Sequence, residues 1–202
     1  MGVGKTWVVV LIKDFDSAKE RLRPALGTKS RRQLARRTSH LAVEAAAAAA
    51  GDRVLVVTGS EEVGEMAAQW GATVLLEPRE EGQNIAAERG IARAREGGAD
   101  AVLLLSSDLP LVTADAVRHL LDAARRPAAP VAVAVPAIGR GGTNALYLRP
   151  PDAVGMHFGE DSLAKFREDA QARGVKFVIH HSDAIALDLD EPSDLQRLSR
   201  AV

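Results

Sequence analysis

Cysteine is absent from this chain of 202 residues, which excludes disulfides, thiolate metal sites and a cysteine nucleophile. Aromatic residues are scarce, at 3%, so a core must be built from Val, Leu, Ile and Ala. Such a core suits a parallel sheet of β-branched strands covered by alanine-rich helices. A long hydrophobic run is missing too: the longest centres on Ala45 to Ala50, well short of the ~20 apolar residues that span a bilayer. Neither sign of charge is in excess, since 26 Lys and Arg stand against 27 Asp and Glu for a net charge of −1. No global field therefore favours nucleic acid or an anionic membrane, and anion binding has to come from local clusters. Met1-Gly2-Val3-Gly4-Lys5 lacks the apolar stretch of a signal peptide, so a cytoplasmic location is the expectation.

What is present reads as a single domain, because a domain typically takes ~100–200 residues. Trp7 to Ile12 (WVVVLI) is a continuous apolar run, the pattern of a strand buried on both faces. Arg53 to Thr58, Thr73 to Leu76 and Ala101 to Ser106 repeat that pattern. Between them the spacing predicts helices over Lys29 to Ala50, Glu61 to Trp70, Asn84 to Glu96 and Thr113 to Arg125. Thr28 or Ser30 would cap the first of these helices, and Thr113 the last. Further strands follow at Val131 to Val135, Ala145 to Leu148 and Lys176 to His180, with helices at Ser162 to Arg173 and Ser193 to Ala201. Alternation of this kind implies right-handed βαβ units and a mostly parallel sheet, an α/β fold flanked by helices. Ligands of such sheets sit beyond the carboxyl ends of the strands, which selects the loops after Ile12, Thr58, Leu76 and Ser106.

Gly4-Lys5-Thr6 looks like the end of a P-loop, but it precedes a strand instead of following one and lacks the earlier glycine. It reads as a terminal segment. The loop Lys13 to Leu22 follows the first strand and offers Lys13, Lys19 and Arg21 to a polyphosphate. By composition alone it is a solvated charged loop. Asp108 stands just past a buried strand, where a carboxylate can hold a magnesium ion bearing nucleotide phosphates. Asp188 and Asp190 form a second acidic pair before the last helix, and alternation in a strand would put both on one side. Arg31, Arg32, Arg36 and Arg37 have the spacing of a solvated helix face. No histidine lies at suggestive spacing from a Ser or Asp, so hydrolase chemistry has little support.

Several segments together resemble one family. In order they are Ile12-Lys13 with Ala18-Lys19-Glu20-Arg21-Leu22, Gly82-Gln83-Asn84, Asp108-Leu109-Pro110-Leu111, Gly142-Thr143-Asn144-Ala145-Leu146, Phe158-Gly159-Glu160-Asp161-Ser162 and Leu187-Asp188-Leu189-Asp190. The pattern is similar to that of the 2-phospho-L-lactate guanylyltransferases, whose bacterial members include phosphoenolpyruvate guanylyltransferases of coenzyme F-420 biosynthesis. The resemblance implies a nucleotidyltransferase fold, glycosyltransferase-A-like and Rossmann-like. It implies that Lys13, Lys19 and Arg21 hold the phosphates of GTP, and that Thr58, Gly59, Gly82, Asn84 and Ser107 line the nucleotide pocket. Asp108 with Asp188, or Asp190 in its place, would bind Mg2+. Thr143, Gly159 and Ser162 would hold the phosphate of a small phosphorylated carboxylic acid, with the glycine-rich loop Gly139 to Gly142 and the free amides of the helix starting at Ser162 assisting. The expected partners are GTP and that acid, with hand-over of an unstable product to the next transferase of the pathway. Ser107 and Gln83 depart from the family's usual Gly or Ala and Leu. Two alternatives stay open at this point: a molybdenum-cofactor-type nucleotidyltransferase, and a nucleotide-sensing domain without catalysis.

Overall fold

The computed structural model describes residues 5–139 and 141–201. Met1 to Gly4, which include the first residue of the Gly4-Lys5-Thr6 segment, lie outside the described residues, as does Arg140 of the glycine-rich loop. The strands are β1 (Thr6–Leu11), β2 (Val54–Thr58), β3 (Thr73–Leu76), β4 (Ala101–Ser106), β5 (Val131–Pro136), β6 (Thr143–Arg149) and β7 (Lys176–Ile179). The helices are α1 (Thr28–Ala50), α2 (Glu61–Gln69), α3 (Gln83–Glu96), α4 (Ala114–Arg125), α5 (Ser162–Ala172), α6 (Asp183–Ala186) and α7 (Pro192–Ala201). Among the described residues the strands form one sheet in the order β3-β2-β1-β4-β6-β5-β7. β6 runs antiparallel to β4 and to β5, and the remaining pairings are parallel.

Period-two alternation sorts the apolar runs into two cores. Val8, Val10 and Ile12 face one cluster with Leu103, Leu105 and the inner faces of α1 and α4. Val9, Val57, Val102 and Leu104 face the other, under α3 and α5. Both faces are covered, which is why these strands read as unbroken hydrophobic runs. Each fully buried Val or Leu contributes about 1.5–3 kcal/mol, and Val8, Val9, Val10, Val102 and Leu103 are all wholly buried. The alanines of α1 (Ala42, Ala45, Ala46, Ala50) let that helix lie close on the sheet. Gly90 does the same for α3: a Cβ there would stand 2.6 Å from Val9 Cγ1 and 3.0 Å from Val57 Cγ2. That close contact seats the middle of α3 on β1 and β2.

Two local expectations are corrected. Gly27, not Thr28 or Ser30, occupies the N-cap of α1, and it makes no side-chain cap bond. Thr113 does cap α4, accepting from Ala116 N at 3.2 Å. No strand forms at 187–190; a short helix, α6, precedes it, and the segment is held by Leu189 N donating to Asp108 O at 3.0 Å. No helix among the described residues is long and apolar enough to cross a membrane.

Candidate active site

A cleft of about 900 Å³ opens at the carboxyl ends of β1, β2, β3 and β4, within the size range of small-molecule sites. Lys13, Lys19, Arg21, Gly59, Gly82, Ser107, Asp108, Thr143, Gly159, Ser162, Asp188 and Asp190 all line it. Thr143 reaches it because β6 is reversed: its first residue lies at the edge where the parallel strands end.

The loop after β1 is not a solvated charged loop. Phe15 and Leu22 are buried and anchor it in the core. Asp14 organises its first turn, accepting from Asp16 N at 2.9 Å, from Ser17 N at 3.3 Å and from Ser60 Oγ at 3.0 Å. Burial alone would raise the Asp14 pKa, but these donors and nearby Arg32 hold it below the ordinary carboxylate value. Lys19 sits in the left-handed region, at φ 60 and ψ 33. A non-glycine residue there costs about 1–2 kcal/mol and persists only where its surroundings over-determine it. Here Arg31 of α1 supplies the constraint. It is buried, not part of a solvated face, and its guanidinium donates to Ala18 O at 3.1 Å and to Glu20 Oε1 at 3.0 Å.

This strained turn carries the Lys19 side chain inward, leaving it 1% exposed. Its ammonium donates to the Asp108 carboxylate and, at 2.8 Å, to Leu189 O. Lys19 thus joins the loop after β1, the loop after β4 and the 187–190 segment. Arg21 donates to Asp190 Oδ2 at 3.0 Å. Asn144 of β6 donates to Ile185 O at 2.9 Å and Ala186 O at 3.0 Å, and lies 3.4 Å from Asp188 Oδ1. Asp194, wholly buried, accepts from Asp190 N and Glu191 N. Leu187 and Leu189 point into the core while Asp188 and Asp190 are half-buried at the cleft, so the expected alternation holds without a strand ladder. Among the described residues Lys13 is the cleft cation with neither a hydrogen bond nor an ion pair, whereas Lys19 and Arg21 are already engaged by carboxylates.

On the opposite wall, Ser162 Oγ donates to Thr143 Oγ1 at 3.1 Å. Ser162 is buried, and it is the first residue of α5; Asp161, at φ 51, holds the N-cap position. The amides expected to be free at this helix start are partly satisfied already. Ser162 N donates to Gly159 O and Leu163 N to Gly141 O, because the glycine-rich loop folds back over the helix end. Gly141 and Gly159, at φ +62 and +120, provide the turns.

Two expected nucleotide residues do not line the cleft. Thr58 is buried and its hydroxyl accepts from Ser60 N at 3.2 Å. Asn84 instead ties the 150s loop to α3: Phe158 N donates to its Oδ1 at 2.7 Å, and its Nδ2 donates to Phe158 O at 3.2 Å. The far end of that loop is clamped by Asp169, which accepts from Gly155 N at 2.7 Å, from Arg173 Nε at 2.6 Å, and meets His157 Nε2 at 3.1 Å. Burial opposes ionisation of Asp169, but these three partners hold its pKa at about 2. His157 belongs to this clamp and does not line the cleft. Asn84→Ala should remove both bonds to Phe158, costing about 1–3 kcal/mol, or a few degrees in Tm at ~2–4 °C per kcal/mol. The bound position of Gly159 would blur, so steady-state kinetics should show the KM of the acceptor rising several-fold while that of the nucleotide changes little.

Among the described residues no group of three or more His, Cys, Asp or Glu side chains is gathered to hold a metal. The donor chemistry of the cleft nevertheless fits magnesium, since Asp108, Asp188 and Asp190 offer hard oxygens only. One or two carboxylates suffice when phosphates and water complete the shell.

Sequence reasoning gave no role to Asp14, Asn144 or Asp194, and it read Arg31 as part of a solvated helix face. Asp14 carried a local signal, an Asp two and three residues before the amides it accepts from. The partners of Arg31, Asn144 and Asp194 depend on tertiary packing or on a turn that no motif announces.

Fold and cleft together define a nucleotidyltransferase: a mostly parallel sheet whose strand ends gather cations and carboxylates around one opening. Solved structures agree on the fold. A protein from Desulfovibrio desulfuricans G20, provisionally assigned as a nucleotide-diphospho-sugar transferase, superposes with a TM-score of 0.74 at 18% identity, covering 98% of this chain and 88% of that one. The family model described as "Guanylyl transferase CofC like" matches residues 6–199, and the chain belongs to that family. Relatives include the phosphoenolpyruvate guanylyltransferase of Rubrobacter xylanophilus, 40% identical over 95% of this chain and 92% of the relative. The 2-phospho-L-lactate guanylyltransferase of Methanothermobacter thermautotrophicus is 36% identical over 95% and 82%. The 3-phospho-D-glycerate guanylyltransferase of Phenylobacterium zucineum is 37% identical over 79% and 72%.

Proposed function

We propose that this guanylyltransferase moves GMP from GTP to the phosphate of a three-carbon acid (2-phospho-L-lactate, phosphoenolpyruvate or 3-phosphoglycerate) and releases pyrophosphate, in coenzyme F-420 biosynthesis. The observation that supports this reading best is the meeting of Lys13, Lys19 and Arg21 with Asp108, Asp188 and Asp190 in one cleft, opposite the Thr143–Ser162 pair. In the reaction an oxygen of the acid's phosphate attacks the α-phosphorus of GTP. The new P–O bond forms as the α–β phosphoanhydride bond breaks, and pyrophosphate departs with the electron pair. The attacking oxygen is already ionised at neutral pH, so no general base is required, in keeping with a cleft lined by no histidine among the described residues.

The difficulty is bringing two polyanions together, and positioned positive charge meets it. Lys13 is placed to meet phosphate oxygens directly. Lys19 and Arg21 hold Asp108 and Asp190 in place. Asp108 and Asp188, or Asp190, would hold Mg2+, which when bound offsets charge developing on the α-phosphate and pyrophosphate. Thr143 and Gly159 would receive the acid's phosphate, with Ser162 orienting the Thr143 hydroxyl. The product, an activated diphosphodiester, suits direct hand-over to a following transferase in the cytoplasm.

Pyrophosphate release, measured with GTP, magnesium and each of the three acids in turn, tests this reading. Turnover with one acid well above the other two is expected. Absence of turnover with all three would sink the substrate class.

A further inference from the structure

The cleft has two chemically different ends. Around β1, β4 and the 187–190 segment it gathers cations and carboxylates suited to phosphates. Beyond β2 and β3 it is lined by Gly59, Glu77, Glu80, Gly82, Gln83 and Ala86. Arg89, the α3 cation nearest this loop, is occupied: it donates to Glu77 Oε1 at 2.6 Å, to Arg79 O at 3.3 Å and to the Glu81 carboxylate. One guanidinium therefore grips the 77–81 loop at three points. Glu77 is buried by this contact, and Glu77 N donates to Thr58 O at 2.8 Å, which ties the loop to the end of β2.

Glu80 is the carboxylate of this loop that Arg89 does not hold. Its side chain lies across Gly59, where a Cβ would stand 2.6 Å from Glu80 Cγ and 3.3 Å from Oε1. A side chain at residue 59 would force Glu80 to move from this position. Among the described residues no donor or cation meets the exposed Glu80 carboxylate, and it lines the cleft beside the ends of β2 and β3. A phosphate or an acid would be repelled from such a position. A nucleobase with hydrogen-bond donors would be drawn to it.

We propose that Glu80 is the residue that selects guanine, accepting N–H bonds from N1 and from the 2-amino group through its two carboxylate oxygens. This rests on the nucleotidyl-transfer reading above and adds the base to it. An ionised carboxylate only accepts, and paired parallel N–H bonds to it are strong and directional. Guanine presents two adjacent donors on that edge. Adenine and cytosine each place an amino donor beside an unprotonated ring nitrogen, whose lone pair faces the second oxygen. Uracil places a single N–H between two carbonyls. A site built to pair with specific donors rejects bases that lack them more strongly than shape alone can.

The test compares kcat/KM for GTP, ITP and ATP in the wild-type protein and in Glu80→Gln and Glu80→Ala, with the acid saturating. ITP keeps N1–H and loses the 2-amino group. The wild type should prefer GTP over both ITP and ATP. In each variant the GTP/ATP and GTP/ITP ratios should fall at least tenfold, with the KM of the acid within about twofold and the melting temperature unchanged. Ratios within twofold of wild type in both variants would overturn the proposal. So would a loss of discrimination confined to Gln83→Ala, which would place base reading on α3. Failure of the wild-type arm with every nucleotide would overturn the functional reading itself, and this proposal with it, an outcome distinct from an active enzyme whose preference is indifferent to residue 80.

Discussion

Asp108→Asn should lower kcat for nucleotidyl transfer a hundredfold or more and leave the protein folded. The carboxylate is 40% exposed but faces the buried Lys19 ammonium, so the change should cost about 1–3 kcal/mol, while the amide oxygen of asparagine still accepts from that ammonium and the protein stays folded. The backbone tie from Leu189 N to Asp108 O involves no side-chain atom and survives the change. What is lost is a negative oxygen at the end of β4 that can hold a divalent cation against the phosphates. Removal of one preorganised electrostatic contact typically costs ~10²–10³ in kcat. Pyrophosphate release at saturating GTP and acid, with a thermal melt as the folding control, measures both halves. Near-normal magnesium-dependent turnover would overturn the mechanism. The same assay on Asp188→Asn and Asp190→Asn separates the second carboxylate: whichever change matches Asp108→Asn marks the partner.

Lys19→Ala and Lys19→Gly should both be nearly inactive, again by a hundredfold or more in kcat, but they should differ in stability. The ammonium is the shared donor of the Asp108 carboxylate and Leu189 O. Without it the Asp108 side chain is no longer fixed, and the 187–190 segment loses its buried tie to the loop after β1, although the backbone bond to Asp108, the Arg21–Asp190 bond and the hold of Asp194 remain. Loss of charge-assisted bonds of this kind costs about 1.5–3 kcal/mol. Glycine, however, relieves the left-handed backbone at φ 60, so Lys19→Gly should be the more stable of the two by about 1 kcal/mol. Lys19→Arg should not rescue activity, because a planar guanidinium does not replace a compact ammonium in a buried niche. Because Lys19 acts through Asp108, the magnesium concentration needed for half-maximal rate should rise in both variants. Wild-type kcat in Lys19→Gly, or an unchanged magnesium requirement beside a lowered Tm, would reduce Lys19 to a structural role.

Much of the framework was legible in the residues. The unbroken runs Trp7 to Ile12 and Ala101 to Ser106 could only be strands covered on both faces, and the structure buries them in two cores. The rule that ligands gather beyond strand ends selected the loops carrying Lys13, Gly59 and Asp108, and all three line one cleft. The motif order led to the family. Composition misled at the loop after β1, where abundant charge suggested solvent although Phe15, Lys19 and Leu22 are buried. The spacing of Arg31, Arg32, Arg36 and Arg37 misled likewise, since Arg31 turns inward to hold Ala18 and Glu20. Neither fact is local: each depends on what the rest of the chain places opposite.

By itself, the sequence determined a cysteine-free, aliphatic, mostly parallel α/β domain and the chemical types of its loops, because hydrophobic period and turn residues act over a few positions. The tertiary structure alone decided which of those types meet. The antiparallel insertion of β6 between β4 and β5 brings Thr143 and Asn144 to the edge where the parallel strands end. The buried Lys19 joins residues 89 and 170 positions away. Arg89 holds the 77–81 loop so that Glu80 is left to the cleft. Contacts across such separations follow from strand order and burial, which the pattern of a single segment does not encode.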